Sequence, residues 1–168
     1  DTPRILTALV DDFDGSRAEK AARRLTAPQK ALALSRLHCA SFLQYMLPGC
    51  PALYYGDEAG MEGYADPFNR RTCPWGKENV LLLRHYRQLG QLRKLYPALR
   101  LGETEFFCAT EGRLCFKRRY GDEVLTVYVN RGDVSWEIPA ATMLYGQGLR
   151  TVAPDWLQLG PMGFCVTK

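Results

Sequence analysis

The chain has 168 residues, 46% hydrophobic and 24% charged, with a net charge of +4. That is enough for one cored domain, or one plus a small second one, and the charged fraction is ordinary for a soluble globular protein. Lys and Arg are spread along helical segments and no RNP, zinc-finger or basic-zipper pattern occurs, which excludes nucleic acid from the expected partners. No window reaches the roughly 18 consecutive apolar residues of a membrane span, and no secretory signal opens the sequence, so no membrane partner is expected.

Six cysteines stand at positions 39, 50, 73, 108, 115 and 165. None forms C-x-x-C, and their irregular spacing in a well-cored chain predicts reduced thiols and a cytoplasmic location. His38 and His85 fall inside predicted helices away from any cysteine pair. They read as packed or surface histidines, so no metal site is expected.

Residues 1–10 predict a helix start, with Thr2 as cap and Pro3 at the first helical position. Ser16-Arg17-Ala18-Glu19 fits a capping box ahead of a short basic helix ending near Leu25. Thr26-Ala27-Pro28-Gln29 is a second box, opening a long helix to about Tyr45. The later half of that helix is apolar nearly all round, which predicts deep packing. Pro48-Gly49 ends it.

Residues 48–75 then organise the chain. An apolar run, Pro51-Ala52-Leu53-Tyr54-Tyr55, has the length of one buried strand, and Gly56 stops it. A loop rich in charge and aromatics follows, with Asp57, Glu58, Asp66, Arg70 and Arg71 among Tyr64, Phe68 and Trp75. Helix, short turn and buried strand in that order predict a parallel α/β unit, whose strand ends carry the site. Residues 78–96 predict a helix stopped by Pro97, with Leu82, Tyr86, Leu89, Leu92 and Tyr96 on one face.

From Gly102 onward alternation replaces helical spacing. Residues 113–119 and 123–129 read as a hairpin turning at Tyr120-Gly121-Asp122. Shorter strands are expected near 104–109, 134–138, 142–145, 155–159 and 163–167. This part reads as a small antiparallel β-sandwich, with a boundary near 97–102.

Three stretches, DTPRILT, LPGCPALYYGDEAGMEG and DPFNRRTCPW, resemble the α-amylase superfamily of glycoside hydrolases in the same order. The resemblance is greatest to its neopullulanase, cyclomaltodextrinase and maltogenic-amylase branch. The helix ending in Leu95-Tyr96-Pro97-Ala98-Leu99-Arg100 also resembles that family's last barrel helix. The resemblance implies α/β plus all-β: residues 1–100 as the C-terminal part of a (β/α)8 barrel, with Ala52–Tyr55 as its eighth strand, and residues 101–168 as the C-terminal β-sandwich. An opening Asp1 without Met fits a processed chain or a fragment of such an enzyme.

The resemblance also implies a function. Retaining hydrolysis of α-1,4 or α-1,6 bonds needs two carboxyl groups roughly 5 Å apart. In the family the nucleophile and acid/base lie upstream of the matched stretches, so the chain alone is expected to be inactive. Asp1 matches the third carboxylate, the transition-state stabiliser. Asp66 and Arg70 match a segment that grips a sugar, as hydroxyl acceptor and guanidinium fork. Tyr64 and Trp75, with Phe68, offer flat faces to sugar rings. The competing readings are a mutual Asp66–Arg70 salt bridge and ordinary loop packing. Asp57 and Glu58, adjacent on an extended segment, point apart and read as capping or pairing groups.

An α-glucan oligosaccharide is therefore the expected partner, with no cofactor. Open barrel edges imply atypical packing of residues 1–100, or dimerisation of the chain with itself. Two other functions compete. One is a carbohydrate-binding accessory module using Trp136, Tyr145 and Trp156. The other is transglycosylation within the same family.

Overall fold

The computed structural model describes residues 2–110 and 112–168. Its contacts divide the described chain into two units: residues 2–38 with Ala52–Gln88, and Cys39–Pro51 with Leu89–Lys168. The division falls inside two helices, whereas the change from helix to strand falls near residue 102.

The first unit holds α1 (Ile5–Ala8), α2 (Arg17–Ala22), the start of α3 (Ala27–Met46), a long loop, and the start of α4 (Val80–Leu95). Thr2 and Pro3 do not open α1; the residue before its first turn is Arg4, with no side-chain cap. Arg4 is fixed from elsewhere, because its N–H donates to Gly63 O at 2.8 Å. Thr7 Oγ1 accepts from Gly63 N at 2.9 Å and completes that tie. Both expected capping boxes form. Glu19 reaches back to Ser16 N at 2.8 Å and Gln29 to Thr26 N at 3.0 Å, each satisfying an orphan donor. Asn79 caps α4, its Oδ1 accepting from Leu82 N at 3.0 Å.

The second unit continues α3 and α4, then adds α5 (Ala98–Leu101) and six strands. These are β1 (Glu103–Thr110), β2 (Arg113–Tyr120), β3 (Glu123–Asn130), β4 (Trp136–Pro139), β5 (Met143–Ala153) and β6 (Trp156–Thr167). The expected hairpin is β2–β3, closed with Tyr120 opposite Glu123. Gly121 supplies the positive φ of +57° that such a tight turn requires. Alternation works as read: Leu125, Val127 and Val129 of β3 face a core shared with Phe116, Phe164 and Phe42.

The β domain is antiparallel as read and consistent with the expected sandwich, and its strands are joined in one hydrogen-bonded ladder, in the order β1-β2-β3-β6-β4 with β5 on β6. The long β6 makes this work. Its first part pairs with β4 and its last part with β3, while β5 follows both parts. The segments 142–145, 155–159 and 163–167 are accordingly pieces of two long strands. Gly148 sits at the register shift between Gln147 and Leu149, inside a continuing ladder.

One expectation is corrected, that of Ala52–Tyr55. That run forms no ladder, and every strand pair among the described residues is antiparallel. The barrel implied for residues 1–100 is thus not formed in this chain. A parallel strand is stable only between two neighbours and under helices, and the described residues supply no neighbouring strand.

The end of α3 is closed by two arginines. Arg93 donates to Tyr45 O, Leu47 O and Gly49 O at 2.6, 3.1 and 2.7 Å. Arg118, fully buried, donates to Met46 O and Gly102 O, both at 2.8 Å. Two cations on orphan carbonyls suit the negative end of the helix dipole.

Candidate substrate-binding site

The first unit contains an open cavity of about 760 Å³, lined by Arg4, Tyr54, Asp57, Asp66, Asn69 and Arg70 with residues of α1. Arg4 is its anchor. The side chain is almost wholly buried and lies against two tyrosine rings, 4.3 Å from the Tyr54 centroid and 4.4 Å from that of Tyr55. Its Nε donates to Asn69 O at 2.6 Å, and Nη1 donates to Tyr55 O and to Asp57 Oδ1, the latter at 3.2 Å. One guanidinium therefore holds the end of the 52–55 run, the turn after it and the 66–70 segment. Such planar, multi-donor fixing is what distinguishes Arg from Lys.

Gly56 makes the turn that presents Asp57. Its φ is +84°, and an added Cβ there would lie 2.1 Å from Met61 Sδ. Asp57 and Glu58 consequently sit on a turn and not on an extended strand. Burial lifts the Asp57 carboxyl above its ordinary range. The Arg4 hydrogen bond and charge offset part of that, and nearby Glu58 adds to it.

The structure places the expected sugar-contacting residues unevenly. Asp66 and Arg70 meet at 2.5 Å through Arg70 Nε, the mutual salt bridge that was the competing reading, and both line the cavity. Trp75 is 83% exposed but lies outside that lining. Phe68 is half-buried. Tyr64 packs away from the cavity lining: its ring is buried, and its hydroxyl donates to Asp11 Oδ2 at 2.6 Å while accepting from Arg23 at 3.1 Å. Asp11 gains enough from this to sit below the usual carboxylate range. Burial raises it, but the Tyr64 and Arg23 hydrogen bonds and the Phe13 N–H outweigh that. Asp1 lies outside the described residues.

In the β domain the three candidate aromatics do not form one platform. Tyr145 packs toward Phe42 and Phe164 in the core, at 6.4 and 6.1 Å. Trp136 meets the Tyr128 edge at 5.8 Å, under Arg113. Trp156 is about half exposed.

Sequence reading missed Arg4, Tyr54, Tyr55 and Asn69 as cavity or anchor residues. A signal for Arg4 was present in the DTPR stretch, where an Arg four residues into a matched motif was passed over. The cavity holds no dense ligand set, and no cluster of three metal-binding side chains occurs among the described residues.

No family model matches the chain. Among characterised proteins, it is 37% identical over 145 residues to the amylopullulanase of Thermoanaerobacter thermohydrosulfuricus, covering 79% of this chain and 9% of that protein. It is 39% identical over 100 residues to the cyclomaltodextrinase of Geobacillus thermopakistaniensis strain MAS1, covering 57% of this chain and 17% of that protein. Among solved structures, the ligand-free cyclic α-maltosyl-(1→6)-maltose hydrolase of Arthrobacter globiformis superposes with a TM-score of 0.70 at 27% identity, over 99% of this chain and 32% of that one. The β domain described above matches the C-terminal domain of such enzymes. The chain belongs to the α-amylase superfamily of glycoside hydrolases and corresponds to a C-terminal portion of its members. It spans under a third of the length of each protein named here.

Proposed function

We propose that this chain is the C-terminal part of a retaining α-glucan glycoside hydrolase acting on α-1,4 or α-1,6 bonds of malto-oligosaccharides, cyclodextrins or pullulan, and that it is inactive alone. In this reading residues 1–100 complete a (β/α)8 barrel whose other strands lie elsewhere in the enzyme, and residues 101–168 are its C-terminal β domain.

The observation that carries the proposal is the state of Ala52–Tyr55. An apolar run of strand length has no ladder and leaves Leu53, Tyr54 and Tyr55 each more than 40% exposed. Such a run is built to be covered on both faces by barrel neighbours. The chemistry points the same way. Both cavity carboxylates are already engaged, Asp57 by Arg4 and Asp66 by Arg70, so neither stands free as nucleophile or acid/base. Retention needs such a pair roughly 5 Å apart, and the proposal assigns it to the remainder of the enzyme.

Within that enzyme Asp66 and Arg70 grip a sugar at the cavity rim and Trp75 offers a face to a ring, while Asp1 stabilises the transition state. Free thiols at all six cysteines fit a reducing, cytoplasmic setting.

The test is hydrolysis of cyclodextrin, pullulan and maltotriose by this chain and by the full-length protein that carries it. Release of glucose, maltose or panose by the full-length protein alone supports the proposal. Turnover by the isolated chain overturns it, and a predominance of longer transfer products redirects it to transglycosylation.

A further inference from the structure

The face of the β sheet opposite the Phe116 and Phe164 core carries a row of sulfur and aromatic groups that the glucan chemistry does not use. Cys108 of β1 stands opposite Cys115 of β2, Cys115 opposite Tyr128 of β3, and Tyr128 opposite Cys165 of β6. These side chains are on the face away from Phe116, Val127 and Val166, which line the core.

Within this row one pair is placed to react. Directly opposed residues of an antiparallel pair have Cα atoms about 4.5–5.5 Å apart, inside the range a disulfide spans. Cys108 and Cys115 are direct register partners, and both are free. Cys165 is two strands from Cys115, roughly 9–10 Å away by strand spacing, and Tyr128 stands between them.

The two partners differ in access. β1 ends the sheet, and its register shifts between Phe106 and Cys108, so Cys108 sits at a bulge on a free edge. Cys108 is half-buried, whereas Cys115 is 1% exposed. Edge and bulge give β1 the freedom to adjust as a bond closes.

We propose that Cys108 and Cys115 form a reversible oxidation site, closed by a small peroxide into a cross-strand disulfide that clamps the edge strand β1 to β2. Cys108, the accessible thiol, reacts first. Its thiolate attacks a peroxide oxygen, an S–O bond forms and the O–O bond breaks. The sulfur becomes a sulfenic acid, and the peroxide is reduced to water with the thiol's proton. The Cys115 sulfur then attacks that of Cys108. The S–S bond forms, the S–O bond breaks, and the departing hydroxide leaves as water with the Cys115 proton. Two thiols and one hydrogen peroxide yield one disulfide and two waters. Burial holds the Cys115 thiol well above its ordinary pKa, so it does not initiate; its place opposite Cys108 lets it resolve.

The test exposes the folded chain to stoichiometric hydrogen peroxide, alkylates the remaining thiols and maps the peptides by mass spectrometry. The expected product is a peptide linking Cys108 to Cys115, lighter by two hydrogens and restored by dithiothreitol. Cys165→Ser should leave the link intact, and Cys108→Ser should abolish it. Cys115→Ser should leave Cys108 as a sulfenic acid that a 1,3-diketone traps. Recovery of both thiols alkylated and unoxidised overturns the proposal, as does a link from Cys108 to any other cysteine. The wild-type map decides the matter even where a serine variant does not fold.

Discussion

The two units hold their buried arginines in opposite ways. In the first, Arg4 is matched by a carboxylate, Asp57, and wedged against two tyrosine rings that remain partly exposed. In the second, Arg118 has no carboxylate among its hydrogen-bond partners and is buried on backbone carbonyls beside a continuous apolar cluster. The first unit adds polar ties between loops to its buried apolar residues, and the second places Arg118 beside its packed cluster at the end of a helix. An anchor like Arg4 fixes a loop whose apolar neighbours Leu53, Tyr54 and Tyr55 stay more than 40% exposed.

The largest expected effect lies in the packed unit. Phe164, fully buried and stacked on Phe42 at 4.4 Å, should lose about 3–5 kcal/mol of stability when changed to Ala, read from the denaturant midpoint. Arg4→Met comes next. It strands the Asp57 carboxyl, which burial already disfavours as an anion, and should cost about 3 kcal/mol. Converting Asp57 to Asn as well should recover part of that loss, because the stranded charge is gone. Arg118→Met should cost less, about 1–2 kcal/mol, since two carbonyls lose a donor but a buried cation is removed with them. Equal losses from the two arginine substitutions would erase the distinction between the units.

His85 gives a pH test confined to the first unit. It is buried against His38, 4.7 Å between ring centroids. Burial first, and then His38, lower its pKa from 6.5 to about 3. The unfolded chain therefore binds more protons between those values. The stability due to neutral His85 is fully present above pH 6.5 and falls as pH drops toward 3, by about 1.4 kcal/mol per unit. His85→Gln should flatten that slope in a pH series of urea melts. The smallest effect belongs to Arg70→Ala. Its bridge to Asp66 is exposed enough that under about 1 kcal/mol of stability should change. A large loss of oligosaccharide affinity in the full-length enzyme, with stability intact, would show that the pair serves the ligand.

Much of this was legible in the sequence, and what was not has physical causes. Both capping boxes, the helices that end near Tyr45 and before Pro97, and the β2–β3 hairpin follow from local chemistry, and local chemistry decided them. β5 and β6 were read as shorter strands because alternation is a local signal; in the sheet the ladder runs on through register shifts. The roles of Arg93 and Arg118 were not legible, since nothing local shows that the α3 carbonyls lie within reach. Tyr64 looked like a sugar platform because aromatic loops often are, yet Asp11 and Arg23, more than 40 residues away, claim its hydroxyl. The Ala52–Tyr55 strand could not be checked from local pattern, because strand status is conferred by neighbours.

The central claim is that this run becomes a strand only inside a complete barrel. Amide hydrogen exchange at Leu53, Tyr54 and Tyr55 tests it most directly, with Val127 of β3 as internal reference. The account predicts rapid exchange at 53–55 in the isolated chain beside slow exchange at Val127, and slow exchange at both in the full-length protein. Protection of 53–55 in the isolated chain to the level of Val127 would contradict it.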